Sequence, residues 1–162
     1  VDGLLKHINL KDGDTILEPS AGYGLLADGI RKRHSNVRIE CVELNQACKE
    51  VLKEKGYEVV GSDFFLFKPN HQYDYVIAAP NFRDNIDCKH VMKMYEHVKP
   101  QGCVVSIMSP YWMTGDSELQ RSFREWLKGK KHVIDILPDN TFMEDGKTVP
   151  TIIIKIEKDE AV

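Results

Sequence analysis

The residues best placed to do chemistry are acids that close apolar runs. The first ends Thr15-Ile16-Leu17-Glu18 and is followed by Pro19-Ser20-Ala21-Gly22-Tyr23-Gly24. An apolar run ending in an acid, then a small-residue loop, then a helical pattern builds a nucleotide-sized site at the carboxyl end of a parallel strand. Gly22 and Gly24 let the backbone turn tightly and approach a ligand. The loop lacks the third glycine of the dinucleotide fingerprint and the lysine of a phosphate-binding loop. Glu18 would repel a pyrophosphate and attract a cation.

Two more acids follow the next two apolar runs. Glu43, followed by Leu44-Asn45, lies about 20 residues past the loop, the offset at which an acid grips ribose hydroxyls. The bland alternative is a solvated strand end or a helix cap. Asp63 is suited to accept from the exocyclic amine of a bound adenine, with Phe64 against the ring. Its alternative is a turn aspartate before a core phenylalanine. Three acids after three successive strands are far more specific than two glycines. The expected ligand is a cationic or zwitterionic nucleoside, and S-adenosylmethionine fits. Its expected binding set is Glu18, Ser20, Ala21, Gly22, Gly24, Glu43, Leu44, Asp63 and Phe64. Glu18 would orient the methionyl end. Tyr23 reads equally as a pocket wall or as a surface aromatic.

The elements that must position these acids alternate. Periodicity predicts strands over 14–18, 37–43, 57–60, 74–79, 103–108, 132–137 and 151–156. Helices are expected over 2–8, 23–34, 46–55, 87–98 and 118–128, with Asn45 capping the third. Pro100-Gln101-Gly102 reads as a turn. This alternation predicts an α/β, Rossmann-like, doubly wound seven-stranded sheet whose final strand is antiparallel.

The chain has 162 residues and a net charge of −3, so composition excludes a basic nucleic-acid-binding domain. Two basic clusters stand out: Arg31-Lys32-Arg33-His34, and Arg121, Arg124, Lys128, Lys130, Lys131 and His132. The favoured reading makes both solvated helix ends. Cys41, Cys48, Cys88 and Cys103 lack metal-site spacing and the histidines are scattered, so no metal is expected. No apolar run spans a bilayer, and a reducing cytoplasmic setting is expected. The first residue is Val1 rather than methionine. The expectation is one domain over 1–162, a piece of a longer or processed chain, with no separate target-recognition domain.

These motifs carry a family resemblance over nearly the whole chain. The sequence resembles the class I S-adenosylmethionine-dependent methyltransferases, and among them the amino-methylating adenine enzymes of phage and plasmid type. Glu18 to Gly24, Glu43 and Asp63-Phe64 match the successive cofactor motifs. Leu137 to Ile152 looks like the family's closing hairpin. The resemblance implies a catalytic segment at Ala79-Pro80-Asn81-Phe82, where the family has a polar residue, two prolines and an aromatic. There the polar side chain and the first proline's carbonyl accept from the target amine, and the aromatic stacks on a flipped-out base. Pro80 and Phe82 keep their parts. Ala79 has no polar atom, and Asn81 is the candidate substitute. Tyr111 and Trp112 read equally as a second stacking platform or as packing under a loop.

The resemblance implies methyl transfer to the amine of adenine in DNA, with RNA the lesser partner and a recognition subunit or flanking domain elsewhere. The competing reading is a catalytically inactive cofactor-binding or interaction module of a phage or mobile element, which Ala79 favours. A small-molecule or protein amine fits the lack of a basic surface. A dinucleotide oxidoreductase fits least.

Overall fold

Short apolar runs alternate with amphipathic ones along the chain, and the computed structural model shows them as strands and helices. It describes residues 1–162 except 81–84, 140, 142, 145 and 161–162. The strands are β1 (Thr15–Glu18), β2 (Arg38–Val42), β3 (Glu58–Gly61), β4 (Tyr73–Ala78), β5 (Val98–Met108) and β6 (His132–Ile136). A small hairpin, β7 (Met143–Glu144) and β8 (Lys147–Thr148), precedes β9 (Ile152–Glu157). The helices are α1 (Asp2–Leu5), α2 (Leu25–Arg33), α3 (Gln46–Glu54), α4 (Ile86–Glu96) and α5 (Glu118–Leu127).

Seven strands form one sheet in the order β3-β2-β1-β4-β5-β9-β6. The first five are mutually parallel, and β9 runs antiparallel between β5 and β6. The final strand is thus antiparallel, as its loop connection implies. The order reverses between β1 and β4, which opens a crevice at their carboxyl ends.

Period-two alternation sends neighbouring side chains to opposite faces. Leu17, Val76, Val104 and Ile154 pack with Val91 and Met94 of α4 and Phe123 and Leu127 of α5. Ile16, Ile77, Val105 and Ile153 pack instead with Leu4 and Leu5 of α1, Leu26 and Ile30 of α2, and Leu52 of α3. The sheet is therefore covered on both faces, as a parallel sheet requires.

Local chemistry sets the helix ends. Asn45 caps α3 by accepting from the Cys48 N–H at 3.1 Å. Ser117 and Gln120 form a capping box at the start of α5. The expected helices are trimmed at their ends: α1 holds four residues, α2 begins only at Leu25, and α4 stops at Glu96. One is longer. β5 begins at Val98 and carries the Pro100-Gln101-Gly102 step within it, as an irregularity in its pairing with β4. Gln101 takes a left-handed φ of 65°, and a Cβ on Gly102 would lie 2.6 Å from the Asp74 carbonyl.

Candidate functional site

The carboxyl ends of β1, β2 and β3 are stitched by backbone. Ala21 N–H donates to the Val42 carbonyl at 3.1 Å, and Glu43 N–H to the Gly61 carbonyl at 3.2 Å. These bonds carry strand pairing into the loops and align Glu18, Glu43 and Asp63 along one edge. Gly22 holds φ at 55°, and its N–H donates to Glu43 Oε2 at 2.6 Å. The other Glu43 oxygen accepts from Asn45 N–H at 2.8 Å. Glu43 thus pins the glycine loop and still has lone pairs for ribose hydroxyls. Gly24 closes the turn at φ 86°, where any Cβ would lie 2.9 Å from Leu52 Cδ2. On the far side, Lys55 Nζ donates to the Tyr23 carbonyl and to Asp28, both at 2.7 Å.

Glu18 is 3% exposed, and its Oε2 has no hydrogen-bond partner. Burial pushes its carboxyl well above the usual carboxylate range. The Ala27 N–H on α2 pulls the other way, and Asp28 and Glu43 add to the rise. Ser20 Oγ is a second orphaned buried atom on the same loop. No atom lies within 4 Å of where a Gly22 Cβ would sit. An acid with one oxygen unpartnered, a hydroxyl without a partner and an open loop fit a ligand whose end carries cations.

The remaining members of the expected set divide. Ala21 is buried in the core, and Leu44 stands exposed at the rim. Tyr23 is exposed too, which suits either of its readings. Asp63 accepts from Phe65 N–H at 2.9 Å and so caps the short turn Phe64–Leu66. The Phe64 ring is buried, 4.8 Å from the His90 ring and 5.6 Å from that of His97. That corrects the placement of Phe64 against an adenine ring. A one-turn helix points successive side chains apart, and the outward aromatic is Phe65, 39% exposed.

The ends of β4 and β5 are joined differently. Ala79 is exposed and Pro80 buried just past β4; Asn81 and Phe82 lie outside the described residues. Asp87, fully buried in the first turn of α4, accepts from Ser109 N–H at 2.9 Å and from its neighbour Cys88 N–H at 3.0 Å. Burial raises its carboxyl above the usual range against those donors. Gln120 donates from Nε2 to Asn85 Oδ1 at 3.1 Å and toward the Tyr111 carbonyl at 3.4 Å. Asp87 and Gln120 therefore tie the two loops flanking Pro80 together. Their sequence signal was hidden: each looks like an ordinary first-turn helix residue. Tyr111 is 57% exposed, whereas Trp112 is buried edge-on against Phe123. Of that pair, Tyr111 alone is accessible for stacking.

The basic clusters serve structure. Arg124 donates to the Trp112 and Gly115 carbonyls, both at 2.6 Å. Lys130 binds the Trp126 carbonyl, Lys131 pairs with Glu157, and Arg33 with Asp2. Among the described residues no group of three or more ligands could hold a metal. No described helix is long and apolar enough to cross a membrane.

No protein-family model matches the chain. It is 26% identical over 125 residues to an uncharacterized methyltransferase, YdaC, of Bacillus subtilis, covering 74% of this chain and 69% of that protein. It is 24% identical to the modification methylase CviBIII of Paramecium bursaria Chlorella virus NC1A, covering 94% of this chain but 46% of that one. Its fold matches the crystal structure of a putative class I S-adenosylmethionine-dependent methyltransferase from Listeria monocytogenes. The TM-score is 0.72 at 16% identity, over 98% of this chain and 58% of that one. The chain thus has the class I methyltransferase fold, whose cofactor is S-adenosylmethionine, and it has methyltransferases among its homologues. In this fold the three acids stand at the carboxyl ends of β1, β2 and β3.

Proposed function

We propose that this chain is the cofactor-binding and catalytic part of an S-adenosylmethionine-dependent methyltransferase whose acceptor is the exocyclic amine of adenine in DNA. The observation that carries the cofactor half is Glu18: a buried acid with an unpartnered oxygen at the start of the glycine loop. No structural bond within the described residues accounts for that oxygen. The likeness to a viral modification methylase and the Pro80-Asn81-Phe82 order support the acceptor.

Glu18 and Ser20 would hold the methionyl end, Glu43 the ribose and Asp63 the adenine. When bound, the cofactor supplies an electrophilic methyl group. The target amine is a poor nucleophile because its lone pair is delocalised into the base. Accepting its hydrogens frees that pair, and the Pro80 carbonyl is suited to take one of them. Tyr111 offers a face for the base, and the amine's proton leaves to solvent after transfer.

Ala79 supports a second reading, a non-catalytic cofactor-binding module. It stands exposed at the end of β4 with no polar atom where an acceptor is needed. One oriented acceptor at a reacting centre is worth about 2.7–4 kcal/mol, roughly a hundred- to a thousand-fold in rate. Methyl transfer from labelled cofactor to adenine-containing duplex DNA separates the readings. Ala79→Asn is expected to raise the rate by up to that factor, and no gain would leave the module. Glu43→Ala, which loses two loop bonds, is expected to weaken cofactor binding about thirtyfold by calorimetry.

A further inference from the structure

The two acids nearest the glycine loop are held in opposite ways. Glu43 has both oxygens on backbone N–H groups, so the fold itself satisfies its charge. Glu18 is 3% exposed with Oε2 unpartnered. The charged groups that act on it are Asp28 of α2 and Glu43 beyond β2, both acids. The Lys55 ammonium, which also closes the glycine loop, is committed to Asp28 at 2.7 Å. Among the described residues the Ala27 N–H is aimed at Glu18. A buried acid with an empty oxygen and acidic neighbours is stable as the neutral carboxyl. It becomes stable as the carboxylate when a cation arrives.

We propose that Glu18 is a proton-exchanging specificity residue: neutral in the free site, it gives its proton to solvent when the cationic methionyl end of S-adenosylmethionine binds. The carboxyl O–H bond breaks, the proton passes to buffer, and the carboxylate pairs with the ligand's cation. Nothing is oxidised or reduced. The inference rests on the cofactor assignment above and goes beyond it, because it makes affinity depend on ligand charge and on pH. Affinity for a cationic ligand rises with pH, by up to about tenfold per unit while the free protein keeps that proton. Affinity for a neutral adenosine ligand does not rise this way. The shift of the Glu18 carboxyl above the usual range has the same direction.

Calorimetric titration in two buffers of different ionisation enthalpy counts the protons exchanged. With S-adenosylmethionine the expected result is net proton release, approaching one proton per site at pH values where the free carboxyl keeps its proton. With 5′-methylthioadenosine, which carries no cation, the expected result is binding without release. That arm needs no variant. In Glu18→Gln, binding persists, weaker and independent of pH, and the release disappears. S-adenosylmethionine binding without proton exchange overturns the proposal alone. So does equal release with 5′-methylthioadenosine, or release that survives Glu18→Gln. No binding by either ligand overturns the cofactor assignment and the proposal with it.

Discussion

At the ends of β1, β2 and β3, backbone bonds pass from one loop to the next, from Ala21 to Val42 and from Glu43 to Gly61. Side-chain atoms of Glu18 and Ser20 are left without partners there. At the ends of β4 and β5 side chains do the joining: Asp87 holds Ser109, and Gln120 bridges Asn85 and Tyr111. On the glycine-loop side backbone and the Glu43 and Asp63 carboxylates share the stitching, and Glu18 keeps a free acceptor oxygen. On the β4 and β5 side the carboxylate and amide oxygens are committed, and the buried atoms left over include the donor Trp112 Nε1. The half with a free acceptor is the half whose sequence motifs are complete, and the half with committed ones contains Ala79.

The sharpest way to break that contrast is Asp87→Ala. It leaves the Ser109 and Cys88 N–H groups unpaired in a buried place, at a cost of about 4 kcal/mol. Urea denaturation should show that loss while calorimetric affinity for S-adenosylmethionine stays unchanged. A parallel fall in affinity would mean that the two halves are one unit.

A smaller effect comes from His90, behind Phe64. Burial pushes its imidazole down to about 4. The unfolded chain's histidine titrates near 6.5, so between those values only the unfolded state takes up the proton. Stability is therefore full above about pH 6.5 and falls by roughly 3 kcal/mol as pH drops toward 4. Urea midpoints across that window should slope less in His90→Phe. An unchanged slope would assign it to other groups.

The smallest effect belongs to the glycine-loop half. Burial alone would raise the Asp28 carboxyl, but its bonds from Lys55 and Tyr57 outweigh that and hold it below the usual range. The contribution is present at neutral pH and is lost as pH falls through the folded value. The pair is well exposed, so Asp28→Asn should cost less than about 1 kcal/mol at neutral pH. The difference in urea midpoint should vanish in acid; a difference that persists there points to packing instead.

The glycine-loop half was legible as a set of neighbouring strand ends because its signals are local. Glu18, Gly22 and Gly24 lie within one short stretch, and Glu43 and Asp63 each follow their own apolar run. The half at β4 and β5 was not. The partner of Asp87 is 22 residues away, so the acid reads as a helix-dipole carboxylate until Ser109 folds beside it. Phe64 and Phe65 are adjacent and alike, and only packing on His90 and His97 decides which ring turns in. The start of β5 was hidden because Pro100-Gln101-Gly102 has turn composition. Pairing with Tyr73 nonetheless draws Val98 into the sheet. The capped helix α3 and the antiparallel final strand followed directly from Asn45 and from the loop that precedes β9.

The place of β9 has a consequence for how the chain can assemble. Among the described residues β6 pairs only with β9, and β9 separates it from β5. During synthesis β6 emerges before the one strand that can hold it, and β5 waits with an open edge. The parallel part of the sheet can form early, whereas closure of this side must wait for residues 152–157. Until then two apolar edges are exposed together, which makes this interval the one in which association with other chains competes most with folding.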